Sequence, residues 1–176
     1  PYILRHIRAD RVNADKLPAE VTSVYRRMAF LVDLYVTFKR NNDPLVEKNL
    51  QDFVLRFHNS DQGFGYRQST LGETARALRM LTWLSYPVQK LSVLDFIRQC
   101  ETPACGFTDI PDTSLSYLEY IHAGAMAAFL TGYRIRYLDQ CTDFIRSCQN
   151  RTGGFSRAMH GGIATLEDTF YAIQSL

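Results

Sequence analysis

Three stretches of this chain, 53–64, 96–107 and 144–155, are copies of one pattern, so the chain must fold as a stack of like units. In each copy apolar residues recur at i, i+3, i+4 and i+7: Leu50, Phe53, Val54, Phe57; Val93, Phe96, Ile97, Cys100; Cys141, Phe144, Ile145, Cys148. That period marks one buried helix face. Each copy ends at a Gly-Phe, and the last face residue precedes that Phe by the same seven residues every time. The glycine is expected to supply the positive φ that stops the helix, and the Phe to fold back onto the core.

A polar loop follows every Gly-Phe, and then a second helix of different character: Thr70 to about Leu84, Ser116 to about Leu130, and Thr165 to Leu176. Each unit therefore reads as a helical hairpin, with repeats over about 45–86, 89–132 and 137–176. Aligning Leu71-Gly72-Glu73-Thr74 with Leu118-Glu119-Tyr120 and Leu166-Glu167-Asp168-Thr169 is read as making Glu73, Glu119 and Asp168 equivalent first-turn acids, which suit the helix dipole. Hydroxyl N-caps are expected from Ser69 or Thr70, from Thr113 or Ser114, and from Thr165, the last with Asp168 in a capping-box arrangement. A further second-type helix, about Ala19 to Phe38, follows the helix-starting Pro18 and carries Tyr25, Phe30, Tyr35 and Phe38. Residues 1–17 show no period and read as an irregular lead-in, with residues 1–40 completing the domain. Turns at 41–44, 85–87 and Gly132 close the hairpins on their other side. The expectation is one all-α domain over 1–176, with about seven helices and no strand.

With 46% hydrophobic residues the chain is long enough to bury a core, and no apolar run approaches the ~20 residues of a membrane span. The net charge is only +2, but most of the 20 basic residues are arginine, which suits fixed pairing with carboxylates, phosphates or diphosphates. No nucleic-acid partner is expected. Cys100 and Cys105 form C-x4-C and Cys141 and Cys148 lie seven apart, which is no zinc pattern; reduced core cysteines in a cytoplasmic protein are the simplest reading. Pro1 rather than Met opens the chain and Leu176 falls within helical periodicity, so a segment of something longer is expected.

A first helix ending Cys148-Gln149, then Gly153-Gly154-Phe155, a variable loop and a second helix opening Thr165-Leu166-Glu167-Asp168-Thr169-Phe170-Tyr171-Ala172 resembles the repeat of protein prenyltransferase β subunits and squalene-type cyclases. The third copy matches nearly throughout, while Gln62 and Cys105 replace the first loop glycine in the other two; the resemblance covers 45–176. It implies an α/α toroid, here a partial one, in which the second helices line a central cavity and aromatic side chains there (Tyr25, Tyr117, Tyr120, Phe170, Tyr171) meet an isoprenoid chain. It also implies an anion site where Arg157 and His160, with Arg67 at a similar place in the first repeat, clamp a diphosphate before an inner-helix N-terminus. The competing account makes these three solvated loop residues.

The departures bear on chemistry. Zinc-dependent members carry an Asp-x-Cys at one inner-helix start and a His-Thr at a later one. The chain is read as holding no Asp-x-Cys at any helix start, inner or outer, and Asp168-Thr169 stands where His-Thr would be. The cyclases' Asp-x-Asp-Asp is not matched by Asp109-Ile110-Pro111-Asp112. Zinc is therefore not expected as a cofactor, and catalytic residues stay unassigned. His122 reads as a core histidine or one facing the cavity, and Glu73, Glu119 and Asp168 as dipole acids unless two share a cavity, when general acid–base work becomes available. The favoured function is a prenyltransferase-like domain binding a prenyl diphosphate in an aromatic-lined cavity without zinc-dependent thiol chemistry. A scaffold domain and part of a terpene cyclase-like enzyme are the alternatives. The first and last inner helices are expected to be exposed and apolar, covered by a second copy or by the rest of a longer chain.

Overall fold

The computed structural model describes residues 44–151, 153–159 and 161–176, together with Val32, which is helical and buried. The lead-in over 1–17, the helix from Ala19 to Phe38 with Tyr25, and His160 otherwise lie outside the described residues.

Among the described residues, helices alternate as three hairpins: α1 (Pro44–Leu55) with α2 (Leu71–Trp83), α3 (Leu94–Gln99) with α4 (Leu118–Thr131), and α5 (Leu138–Ser147) with α6 (Leu166–Ser175). A 3-10 turn, Val88–Lys90, joins the first hairpin to the second. α2 packs on α4 and α4 on α6, so the second helices form a continuous inner row; α1 packs against α2, and α3 and α5 against α4. The periodic faces are buried as their spacing requires, with Phe53 half-buried and the other eleven face residues inside the core. Gly132 ends α4 in the left-handed region (φ 74°), its N–H returning to Ala128 O, which suits a residue without Cβ.

The repeat is visible in its hydrogen bonds. In the three loops Gly65 N, Thr108 N and Ser156 N donate to Phe57 O, Cys100 O and Cys148 O at 3.0, 2.9 and 2.9 Å. His58 bridges Phe64 and Gln149 bridges Phe155 in antiparallel fashion, and in the middle copy the same pairing extends into a two-residue ladder of β1 (Glu101–Thr102) and β2 (Gly106–Phe107). The strandless expectation is corrected to that extent. So is the role of the loop glycine. The outer helices stop at Leu55, Gln99 and Ser147, ahead of the loop, with Cys100 and Cys148 still right-handed. Positive φ comes later, where the loop reverses, at Gln62 (70°) in the first copy, Gly106 (91°) in the second, and Gly153 (91°) and Gly154 (71°) in the third. The glycines turn a hairpin loop rather than end a helix.

All four cysteines are buried and free, and burial pushes the Cys100 and Cys141 thiols up to about 12 and Cys148 to about 11. They are core residues, far from the thiolate state that metal binding or nucleophilic attack needs. In the second unit, the buried Glu101 carboxylate accepts Arg136 N (2.7 Å), Arg136 Nε (2.8 Å) and the Tyr133 hydroxyl, which pins the connection after α4 to that unit's own loop. A buried carboxylate satisfied this fully fixes the path of the chain from the second unit toward the third.

Candidate functional site in the inner row

The inner row encloses a cavity of about 750 Å³. The N-terminal ends of α2, α4 and α6 line the end that we call the mouth, and Arg79 and Met126 line the cavity farther along the row. Gly72 to Arg79 along α2 is roughly 10 Å at 1.5 Å per residue, the length of α2 that the lining covers.

Local chemistry decides what the mouth presents. Thr70 caps α2 through its side-chain oxygen, which accepts Glu73 N at 3.1 Å, and Thr165 caps α6, accepting Asp168 N at 2.9 Å. The expected capping box closes differently: the Asp168 carboxylate accepts the Thr165 hydroxyl (2.6 Å), while Thr165 N donates to Phe155 O (3.2 Å). α4 departs further. Its N-cap is Tyr117, with no side-chain cap, because the Thr113 hydroxyl donates to Ile110 O (2.7 Å) within the loop. With N-caps at Thr70, Tyr117 and Thr165, the position of Glu73 and Asp168 is filled in α4 by Tyr120, and Glu119 matches Gly72 and Glu167. The alignment of Glu119 with Glu73 and Asp168 is thus corrected by one residue. All three acids nonetheless line the same cavity, with Asp109 and Glu167.

Five carboxylates therefore meet three guanidiniums, Arg76, Arg79 and Arg157. Glu73 holds Arg76 at 2.7 Å and Glu119 holds Arg157 at 2.6 Å. Arg157 also lies 4.0 Å from the Tyr117 ring centre, a cation–π stack that fixes its plane. Its hydrogen bond to Glu119 raises the Arg157 pKa further, so the guanidinium stays charged. Asp109 Oδ1 accepts Gly72 N (2.9 Å), yet burial pushes its carboxyl above the ordinary value. Deeper in, Ala75, Ala123, Met126 and the ring of Tyr171 supply apolar wall. His122 stacks on Tyr171 (5.0 Å between centres, 28°), and burial, with Arg79 nearby, holds its imidazole down to about 4, so it is neutral at pH 7.

Of the residues singled out in the sequence, Tyr120 and Arg157 line this cavity, and Tyr117 stands beside them, 5.4 Å from Tyr120 ring to ring. Phe170 packs against His122 and Tyr171 at the edge of the row, half-exposed and outside the lining. Arg67 is exposed on the first loop, 5.8 Å from Tyr66, and does not join the lining. His160 lies outside the described residues. Sequence reasoning did not single out Arg76 and Arg79; the i, i+3 steps from Glu73 to Arg76 and from Arg76 to Arg79 are the signal that makes each successive pair neighbours on α2.

The reading that no Asp-x-Cys occurs is corrected by Asp139-Gln140-Cys141, which opens the outer helix α5, where Asp139 is exposed and Cys141 buried. Among the described residues no three of His, Cys, Asp and Glu converge as a set able to hold a metal ion.

The model for the prenyltransferase alpha-alpha toroid domain matches residues 16–176, so this chain belongs to that family and its hairpins form part of an α/α toroid. Among solved structures, Candida albicans protein geranylgeranyltransferase-I complexed with GGPP superposes with a TM-score of 0.74 at 19% sequence identity, over 99% of this chain. The chain spans 56% of the length of that structure's chain. A search of curated proteins finds no match. Among the described residues no helix is long and apolar enough to cross a membrane.

Proposed function

We propose that this prenyltransferase-like domain binds an isoprenoid diphosphate in the inner cavity, chain inward and diphosphate at the mouth. The observation that carries the reading is Arg157: a guanidinium stacked on Tyr117 at the α4 N-terminus, beside a cavity whose deeper wall is Ala75, Ala123, Met126 and Tyr171. The fold neighbour's complex with GGPP supports the same ligand class. Burial of a prenyl chain yields ~25 cal/mol per Å2 of apolar area, and the fixed guanidinium supplies charge-assisted hydrogen bonds. Glu119 holds Arg157 at 2.6 Å, so a diphosphate competes with it for the guanidinium.

Prenyl diphosphates of graded length should raise the melting temperature. At about 100 times Kd the linkage is ~2.7 kcal/mol, or roughly 5–10 °C for a chain of this size. Arg157→Ala should remove most of the shift. Glu119→Gln should tighten binding by up to about five-fold, since a partly exposed ion pair is worth ~0–1 kcal/mol. No shift at any chain length would refute lipid binding and leave the scaffold reading.

The same proposal holds that these residues do not bind the zinc used for thiol activation, because the buried, protonated cysteines lie outside the cavity lining. Metal analysis of the purified chain should find far less than one zinc per molecule, and a stoichiometric, tightly held zinc would contradict it.

A further inference from the structure

The loops that lead into the inner helices expose large apolar side chains where surface loops ordinarily carry polar ones. Leu115 and Ile163 hold one repeat position, eight residues after the Phe of Gly-Phe and three before the first residue of α4 and of α6. They are 58% and 87% exposed. Leu115 stays so although the loop of the next repeat closes over α4 beside it, Arg157 O accepting Leu118 N at 2.9 Å. Exposure at this position therefore belongs to the loop itself and does not come from a missing neighbour. Met159, also exposed, stands at the tip of a tight turn closed by the pairing of Ala158 with Gly161. The first repeat runs only seven residues from its Phe to its inner helix, against eleven in the other two, and places the exposed Arg67 and Gln68 there. Arg151 is exposed as well, in a turn that the Asn150 side chain ties to Gly162 O at 3.2 Å, next to Ile163. Each of these loops runs into residues that line the mouth: Thr70 after Gln68, Glu119 after Leu115, and Thr165 after Ile163.

We propose that this rim is a membrane-docking surface: Leu115, Met159 and Ile163 enter the apolar boundary of a lipid bilayer, with Arg67 and Arg151 at the level of the lipid phosphates. The apolar groups are single side chains on separate loops, set among glycine and polar residues. Points of that kind are buried by insertion into a fluid layer, whereas a folded partner would need a continuous face to pack on. The exposed stripe of α6, Leu166, Phe170 and Ile173, is such a helix face and is not part of the rim. The choice of a bilayer rests on the reading that the cavity takes an isoprenoid diphosphate. Such a ligand keeps its chain among the lipid tails and its diphosphate at the headgroups, so an entrance seated on that surface receives it without exposing the chain to water. Glu119 and Glu167 stand at the same end, so the apolar points carry the attachment and anionic lipid adds little to it.

Flotation with vesicles of phosphatidylcholine, alone and mixed with phosphatidylglycerol, tests this. The chain should float with both, and combining Leu115→Ser with Ile163→Ser should lower the ratio of bound to free protein by about ten-fold or more. Both side chains are exposed, so the double variant should melt within about two degrees of the parent. Leu115→Trp should still float, its emission shifting to the blue and being quenched by brominated lipid. Docking and ligand binding are separable. The double variant should keep the melting shift produced by geranyl diphosphate, which is short enough to dissolve in water, and Arg157→Ala should lose that shift yet still float. A chain that floats with neither vesicle or only with the anionic one, or a double variant that floats as well as the parent, would overturn the docking proposal and leave the ligand reading standing. So would a parent that dimerises in sedimentation while the double variant is monomeric, since the rim would then belong to a second copy.

Discussion

Phe107→Ala should destabilise the protein by about 3–5 kcal/mol, the range for emptying a fully buried Phe site. Phe107 is 0% exposed, sits in β2 against α5, and its ring lies where a side chain on Gly124 of α4 would have to go. The Ser116 hydroxyl holds its carbonyl at 2.6 Å, so the backbone cannot easily follow the truncation to close the cavity. Thermal melting should fall by roughly 6–20 °C at ~2–4 °C per kcal/mol. Phe155, the same residue of the last repeat, is only partly buried, so Phe155→Ala should cost clearly less. Equal losses at the two positions would contradict the difference in burial between them.

Gly106→Ala should be strongly destabilising, for two separable reasons. Its φ of 91° imposes about 1–2 kcal/mol on any L side chain. A Cβ there would also overlap the Cys141 thiol and come within 3.1 Å of the Cys141 backbone nitrogen, adding ~1–3 kcal/mol of overpacking. Gly153 has the same φ of 91° with nothing within 4 Å, so Gly153→Ala carries the backbone cost alone. Denaturant melts of both variants separate the two contributions, and a Gly106→Ala no less stable than Gly153→Ala would show that α5 does not press on β2 as placed.

Much of this architecture could be read from the chain because its determinants are local. The i, i+3, i+4, i+7 faces of α1, α3 and α5 sort apolar from polar side chains over two turns, and Thr70 and Thr165 each sit three residues before the amide they cap. What escaped was non-local. Tyr117 is no cap former, and α4 begins there because Arg157, 39 residues on, takes the Leu118 N–H; without that bond in view, Glu119 was aligned one position away from its true equivalents. The Glu119–Arg157 and Glu101–Arg136 pairs bridge separations of 38 and 35 residues, so nothing in either sequence neighbourhood announces them. The loop turn was misjudged for a different reason: Gln62 adopts positive φ without glycine, held by its N–H to Asn59 O at 3.0 Å, so composition alone did not locate the reversal. At the site, Tyr120 and Arg157 were legible from repeat position, whereas the abundance of carboxylates around them follows from three helix N-termini meeting at one mouth.

The binding of a prenyl diphosphate within the inner row is tested most directly by labelling with a photoreactive prenyl diphosphate analogue, followed by peptide mapping. The account predicts adducts on the cavity wall, at Ala123 to Met126 and at Tyr171, which unlabelled prenyl diphosphate competes away and Arg157→Ala diminishes. Labelling confined to the exposed stripe of Leu166, Phe170 and Ile173, or labelling that no competitor reduces, would contradict it.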